Sequence, residues 1–334
     1  MPVLYLTEPG ATLRKDGEVF CVTKDDVELA RIPAIRVEQV VVLGNINLTT
    51  PVIAYLLQQG IDCVFCNSYG KYHGRLVSTA SGFGRLRQLQ LQAATDPGRR
   101  LSVARQMVRG KMLNQRTLLM RHRRERELAS LDSAIAGLER ALSDLDAANS
   151  IGSLFGIEGN ASVSYFRAFG ELLQQDMGFN GRQKRPPPDP VNSLLSFGYT
   201  LLVYNIESAV YTAGLDPYQG FLHAAEYSRP SLVLDLVEEF RPIIVDSLVL
   251  RIINTRVLTE TDFQRPSGEN RMVVLTQEAI KKFVQHYEER VQTQIRHPLT
   301  GNQVSYRRCF ELQVRHLASV LQRPEAEYQP FLVR

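Results

Sequence analysis

The chain has 334 residues, 44% hydrophobic and 22% charged, with a formal net charge of +4. That is enough apolar material for one large core or two smaller ones. No uninterrupted apolar run of about 18 residues occurs, even PIIVDSLVLRII being cut by Asp246 and Arg251, and MPVLYLTEPG lacks the basic start and long apolar run of a signal peptide. A cytoplasmic protein with no membrane partner is expected.

From Val3 to about Val77, short apolar runs alternate with polar turns. VLYLTE, TLRKDGEVFCVTKDD, VELARIP, EQVVVLG and DCVFCNS suit strands. Asp16-Gly17 marks a hairpin, since this pair tolerates the left-handed angles of short loops. Thr50-Pro51 opens a short helix, VIAYLLQQG, that stops at Gly60. NSYGKYHGRLV reads as a closing hairpin. Cys63 and Cys66 fall three apart in one strand and so on opposite faces. With no second pair at zinc-site spacing, all four cysteines (Cys21, Cys63, Cys66 and Cys309) read as small apolar residues of a reduced protein.

After Ser78 the texture becomes helical. RLRQLQLQAAT is followed by LSVARQMVRGKMLNQRTLLMRHRR and ERELASLDSAIAGLERALSDLD, in which Leu128, Leu131, Ile135, Leu138 and Leu142 recur at helical spacing. Later helices are expected over Val163–Gln175, Val191–Ala213, Leu232–Phe240, Ile243–Asn254, Thr276–Thr293 and Tyr306–Leu321. The fold class expected is therefore α+β: a small, mostly β N-terminal domain over residues 1–80 with one short helix, then a larger all-α domain over 81–334. Between Arg99 and Glu127 ten Arg or Lys face two Glu, a local excess of eight that leaves the rest of the chain net acidic by about four. Such a stripe suits a polyanion-facing surface, the alternative being an Arg-rich solvated helix. RQKRPPPDP, with prolines at 186, 187, 188 and 190, is a rigid strap into the next helix and suits either a substrate clamp or an interdomain linker.

The chemistry concentrates in GFLHAAEYSRPSLVLDLVEEFRP. His223 is followed by Asp235 and Glu238, three apart on one face of an apolar helix, where acids are costly unless paired or liganded. Glu239 is expected to face solvent. Glu158, between glycines 156 and 159 in the nearly uncharged SIGSLFGIEGNASVSYF, is the third candidate ligand, placed just ahead of a helix, although a first-turn carboxylate is also consistent with that setting. His223 alone would equally suit a core histidine. An imidazole with carboxylates suits Mg²⁺ or Mn²⁺, with zinc fitting on ligand type alone. Arg241 suits either a phosphate or Glu238, Asp246 a structural role, and Tyr165 the core or a stacked base. No Walker loop, nucleophile elbow or dinucleotide-binding glycine pattern is present.

Taken together, LFGIEGNAS around Glu158, RPPPDPVNSLLSFGYTLL and the GFLH…SLVLDLVEEFRP block resemble the CRISPR-associated integrase family, the universal spacer-acquisition nuclease. The resemblance covers nearly the whole chain. It implies Glu158, His223 and Glu238 as ligands of Mg²⁺ or Mn²⁺, with Asp235 as the fourth catalytic group, supporting the site or sharing the ion. Where many members carry Ala-Arg, this chain has Ser162 and Val163, with Arg167 as a replacement for the arginine. The implied reaction is metal-assisted attack of a DNA 3′-hydroxyl on a phosphodiester of the CRISPR array, with cleavage when water attacks instead. The implied assembly is a homodimer formed through the N-terminal domain, bound to a dimer of a small ferredoxin-like subunit, to double-stranded spacer DNA and to repeat DNA. Arg105, Arg109, Lys111, Arg116, Arg121, Arg123 and Arg124 would then track the spacer backbone, while Arg182, Lys184, Arg185 and Arg241 guide an end to the metal. Two alternatives remain open from the residues themselves: a non-catalytic nucleic-acid scaffold in which the acids pair with cations, and a structure-tolerant nuclease that does not integrate.

Overall fold

In the computed structural model the described residues are 3–68, 72–76, 83–125, 128–223, 229–265, 272–323 and 325–333. The chain divides into two compact units, Met1–Ser81 with Leu275–Val284, and Gly82–Val274 with Gln285–Arg334. The segment Leu275–Val284 thus groups with the strand-rich unit although it lies within the stretch expected to be wholly part of the helical domain.

The first unit holds β1 (Val3–Leu6), β2 (Thr12–Asp16), β3 (Val19–Lys24), β4 (Val27–Pro33), β5 (Gln39–Leu43), β6 (Asn47–Leu48), α1 (Thr50–Gln59), β7 (Asp62–Cys66) and β8 (Tyr72–Leu76). They form two four-stranded sheets, ordered β1-β5-β7-β8 and β4-β3-β2-β6. The expected Asp-Gly hairpin joins β2 to β3, with Asp16 opposite Val19 and Gly17 at φ +53°. β1, β5 and β7 run parallel, and β8 returns antiparallel to β7. Residues 69–71 of the expected closing hairpin NSYGKYHGRLV lie outside the described residues. Leu13, Phe20 and Val22 from one sheet and Val40, Val42 and Cys63 from the other share one core with Val52 and Leu56 of α1. Alternate residues of each strand supply it, as a period of two requires. All four cysteines are buried free thiols, and burial pushes Cys63 and Cys309 up to about 12.

The second unit is built from α2 (Gly84–Thr95), α3 (Pro97–Arg123), α4 (Ala129–Ala147), α5 (Ile151–Leu172), α6 (Pro190–Ala213), α7 (Ser231–Arg241), α8 (Ser247–Asn254) and α10 (Tyr306–Leu321), with the later part of α9 (Gln277–Gln292). Local capping sets the starts. Asp96 accepts from the Arg99 amide ahead of Pro97, Asp189 accepts from the Asn192 amide ahead of Pro190, and Ser150 and Ser153 form a capping box. That box moves the start of α5 to Ile151, twelve residues before the expected Val163. Glu158 is therefore a mid-helix residue and does not precede a helix; the glycines at 152, 156 and 159 disguised the helical run without breaking it. α3 packs against α4, α5 and α7, and α6 against α7 and α10.

Pro242 does not end the helical path of α7. Lacking an N–H, it opens a π-helical turn over Pro242–Asp246, closed by the Ser247 amide bonding to the Pro242 carbonyl, and α8 follows directly. The Ile243 carbonyl is taken by the Arg290 guanidinium at 2.6 and 3.0 Å. Asp246, at the end of the turn, is buried and accepts from the Tyr165 hydroxyl of α5 at 2.7 Å and the Tyr199 hydroxyl of α6 at 2.6 Å. One carboxyl thus ties three helical segments together, which gives Asp246 a structural role and places Tyr165 in the core.

Burial pushes the Asp246 carboxyl up to about 6, against the opposing pull of the two hydroxyls and of Arg241 and Lys111. The folded protein therefore holds this proton more tightly than the unfolded chain. The associated stabilisation is complete below the ordinary carboxyl value and is lost as pH rises through about 6, by on the order of 3 kcal/mol at most. Asp246→Asn keeps an acceptor for a tyrosine and removes the titration. Calorimetry at pH 4 and pH 7 should show the wild type losing more stability over this interval than the variant; parallel curves would contradict the assignment.

Candidate metal centre beside a basic cavity

At the heart of the helical unit, the Lys111 ammonium of α3 lies between two carboxylates. It contacts Glu158 Oε1 of α5 and is 2.7 Å from Glu238 Oε2 of α7. The Arg241 guanidinium bonds to the other Glu238 oxygen, and Ser162, one turn beyond Glu158, donates to Glu158 Oε1 at 2.8 Å. Burial alone would push the Glu238 carboxyl up. The Arg241 and Lys111 cations, with a smaller contribution from His223, more than reverse this and hold it at about 2. Burial would likewise lower the Lys111 ammonium, but the flanking carboxylates Glu238 and Glu158 raise it.

His223 is fixed by Asp235. The fully buried Asp235 carboxylate accepts three successive backbone amides, Phe221 at 2.6 Å, Leu222 at 2.9 Å and His223 at 3.0 Å, and its Oδ1 is 2.6 Å from His223 Nδ1. This close approach requires Gly220, because a Cβ there would sit 2.8 Å from Asp235 Oδ2 and from Ser231. Both Asp235 oxygens are thus engaged and one of them orients the imidazole, leaving Nε2 as the nitrogen available to a ligand. The His223 ring meets Phe155 edge-on with centroids 5.6 Å apart, one turn before Glu158 on α5.

The structure thus brings Glu158 and Glu238 together around one cation and sets His223 beside the same helices. Among the described residues, no group of three His, Cys, Asp or Glu side chains converges tightly enough to hold a metal as it stands. The donor set nevertheless fits a hard divalent cation. A positive group already bridges the two carboxylates, and carboxylate oxygens with an imidazole nitrogen suit Mg²⁺ or Mn²⁺.

A cavity of about 710 Å³ opens next to these groups. Its wall carries five cations, Lys111, Arg167, Arg182, Lys184 and Arg241, against Glu158 and Asp246, with Tyr199 between them. The Tyr199 ring lies under both Arg182 at 5.4 Å and Arg241 at 4.7 Å, so the hydroxyl held by Asp246 fixes the platform on which two guanidinium groups rest. The proline strap serves this cavity and does not link the two units: both its ends belong to the helical unit, and Arg182 is tied to Asn192 and Ser196 of α6. Arg167 lines the same wall.

The basic stripe of α3 does not form one open face. Arg105 donates to the Ala148 carbonyl, Arg109 pairs with Asp146, Arg116 with Glu139 and Arg123 with Asp132, all binding α3 to α4 and its C-terminal end, while Lys111 points into the carboxylates. Arg121, Arg124 and Arg185 are exposed; residues 126 and 127, at the end of the stripe, lie outside the described residues. Glu239 overturns its expected solvent-facing position. It is buried, accepts from the Tyr328 hydroxyl and the Phe331 amide at 2.7 Å each, and is pushed up to about 8 by burial. Asn114 of α3 bonds to the Glu239 and Phe331 carbonyls, so the C-terminal tail is stitched to both site helices. Sequence reasoning placed Lys111 with the cations of the stripe and missed its position between the two carboxylates. Its signal was its place among apolar neighbours in GKML.

The sequence matches the family described as CRISPR associated protein Cas1 over residues 4–289. It is 39% identical over 334 residues, 99% of this chain and 97% of the other, to "CRISPR-associated endonuclease Cas1 3" of Thermus thermophilus. The fold is similar to that of a CAS1 protein from Thermotoga maritima, with a TM-score of 0.81 at 28% identity over the full length of both chains. It is also similar to a casposase bound to integration product (TM-score 0.84, 22% identity, 98% of this chain and 93% of that one) and to a chain of a Cas6-RT-Cas1–Cas2 complex (TM-score 0.84, 24% identity), of which it spans 99% of its own length and 36% of the other's. With the family match over most of its length and a close relative aligned end to end, the chain belongs to the CRISPR-associated Cas1 family.

Proposed function

We propose that this chain is a metal-dependent DNA integrase and endonuclease that inserts short duplex spacers into a CRISPR array. The observation that carries the reading is the pair of carboxylates, Glu238 buried and Glu158 partly exposed, closed around the Lys111 ammonium at the edge of a cavity whose wall carries five cations. A phosphodiester needs both halves of that arrangement: a point where divalent charge can be held, and fixed cations to take the non-bridging oxygens.

In this reading Glu158, Glu238 and His223 Nε2 hold Mg²⁺ or Mn²⁺. When bound, the ion supplies Lewis-acid stabilisation of charge developing on the phosphoryl oxygens. Asp235 keeps the imidazole in one orientation, with the proton on Nδ1 directed at its own carboxylate. Arg241 and Arg182, braced on Tyr199, position the phosphate, and Arg167 and Lys184 extend the cationic track for the strand. The DNA 3′-hydroxyl is the nucleophile in joining and water in cleavage, so no covalent protein intermediate is required. A homodimer working with a dimer of a small ferredoxin-like subunit fits the family, and the likeness to a chain of a Cas6-RT-Cas1–Cas2 complex supports the second partner alone.

One observation favours a second reading. The ion pairs Lys111–Glu158, Lys111–Glu238 and Arg241–Glu238 are what a non-catalytic DNA scaffold would also display. Incubating the protein with a labelled branched half-site separates the two. Strand transfer is expected with Mn²⁺, and none with chelator or in Glu158→Ala and His223→Ala. DNA binding without product under every condition would establish the scaffold, and hydrolysis without joined product would establish a simple nuclease.

Asp235→Asn should reduce strand transfer by roughly 10- to 100-fold, because the imidazole loses its anchor while remaining present. It should also lower the melting temperature, because an amide cannot accept all the amides that Asp235 now takes. Full activity in that variant would show that His223 orientation does not matter. Lys184→Ala should weaken duplex binding equally across sequences and reduce the log–log salt slope by about one, measurable by fluorescence anisotropy between low and moderate salt. An unchanged slope would remove Lys184 from the DNA track.

A further inference from the structure

Lys111 has no counterpart in the ligand set, yet it is the group that bridges the two glutamates of that set. Its ammonium contacts both Glu158 and Glu238, and its side chain is 9% exposed. The backbone beside it is immobilised: a Cβ at Gly110 would lie 2.6 Å from Pro330 Cβ and 3.1 Å from Glu239 Cγ. α3 is therefore seated hard against the tail at this point, and any movement of the charge must come from rotation of the Lys111 side chain itself. The cavity wall includes Lys111, Glu158 and Arg241 but neither Glu238 nor His223. The ammonium thus stands between the open cavity and the buried Glu238 carboxylate.

Resting on the metal-dependent reading, we propose that Lys111 is an internal counter-cation: it occupies the divalent-ion position in the metal-free protein and swings into the cavity when the ion binds. Two cations cannot share the space between these carboxylates, because their repulsion at contact distance outweighs what either gains from the shared anions. The four-carbon stem allows the ammonium to leave without moving the helix, and the cavity that its side chain already lines is the open space available to it. Once displaced, the ammonium joins Arg167, Arg182, Lys184 and Arg241 on the wall with its carboxylate partners lost. A DNA phosphate then replaces those partners. Ion binding and phosphodiester binding are coupled through this one side chain, each favouring the other, and the metal-free protein keeps its two acids from repelling while the ion is absent.

The test is metal affinity, read without catalysis. Mn²⁺ titrations followed by electron paramagnetic resonance, on the full chain without DNA, compare wild type, Lys111→Met, Lys111→Gln and Glu238→Gln. The lysine variants should bind Mn²⁺ roughly tenfold more tightly than wild type, and Glu238→Gln should bind more weakly. Adding duplex DNA should tighten Mn²⁺ binding in wild type and do so much less in the lysine variants. Mn²⁺ binding that depends on Glu238 but is unchanged or weaker in both lysine variants would overturn the displacement and leave the metal reading standing. No Glu238-dependent binding in any of the proteins would overturn both. Should neither lysine variant fold, reductive methylation of the unaltered protein decides: mass spectrometry should find Lys111 modified several-fold more with Mn²⁺ than with chelator, and equal labelling would overturn the proposal.

Discussion

Three carboxylates on one eleven-residue helix, Asp235, Glu238 and Glu239 of α7, are withdrawn from water, and much of the helical unit is arranged around that constraint. Leaving any of them unpartnered would cost several kcal/mol, so each has acquired a different form of compensation. Asp235 is saturated by backbone amides and the His223 imidazole. Glu238 is ionised between Lys111 and Arg241. Glu239, with no cation beside it among the described residues, is pushed up by burial and satisfied by Tyr328 and the tail amide of Phe331.

These three solutions explain the placement of elements that otherwise look unrelated. α3 must pass close enough for Lys111 to reach Glu238 and Asn114 to reach the Glu239 carbonyl, which accounts for glycine at 110. The tail must return to α7, where Phe331 stacks on Phe240 at a centroid distance of 4.8 Å. The π-turn after Pro242 brings a fourth acid, Asp246, to the two tyrosines beneath the cavity. Packing of the core and electrostatics of the site are consequently one problem: the residues that shape the cavity are held by the groups that neutralise the acids.

Charge distribution along α3 illustrates how the same residues divide between architecture and function. Arg105, Arg109, Arg116 and Arg123 are bound to α4 and its C-terminal end, so much of the apparent polyanion stripe secures a helix pair. Exposed pairs of this kind contribute little individually, roughly 0 to 1 kcal/mol each, but they fix the register of α3. That register points Lys111 inward. The cationic surface at the candidate site comes instead from four separate stretches of chain, α3, α5, the strap and α7, which only the packing of the helices brings together.

The sequence by itself determined the division into a strand-rich and a helical half, the Asp-Gly hairpin, α1, the bounds of α6 and α10 to within a residue, and the family through three blocks around Glu158, Asp189 and His223 to Arg241. Periodicity, caps and turn residues are local properties, and short windows carry them. The tertiary structure alone decided that Glu158 lies within α5, that Asp235 serves the imidazole, that Glu239 is buried, and that Lys111, 47 residues before Glu158, lies between the two carboxylates. The physical reason is that a buried charge takes its partner from whichever segment packs against it. That choice depends on how distant helices meet, and no spacing along the chain records it.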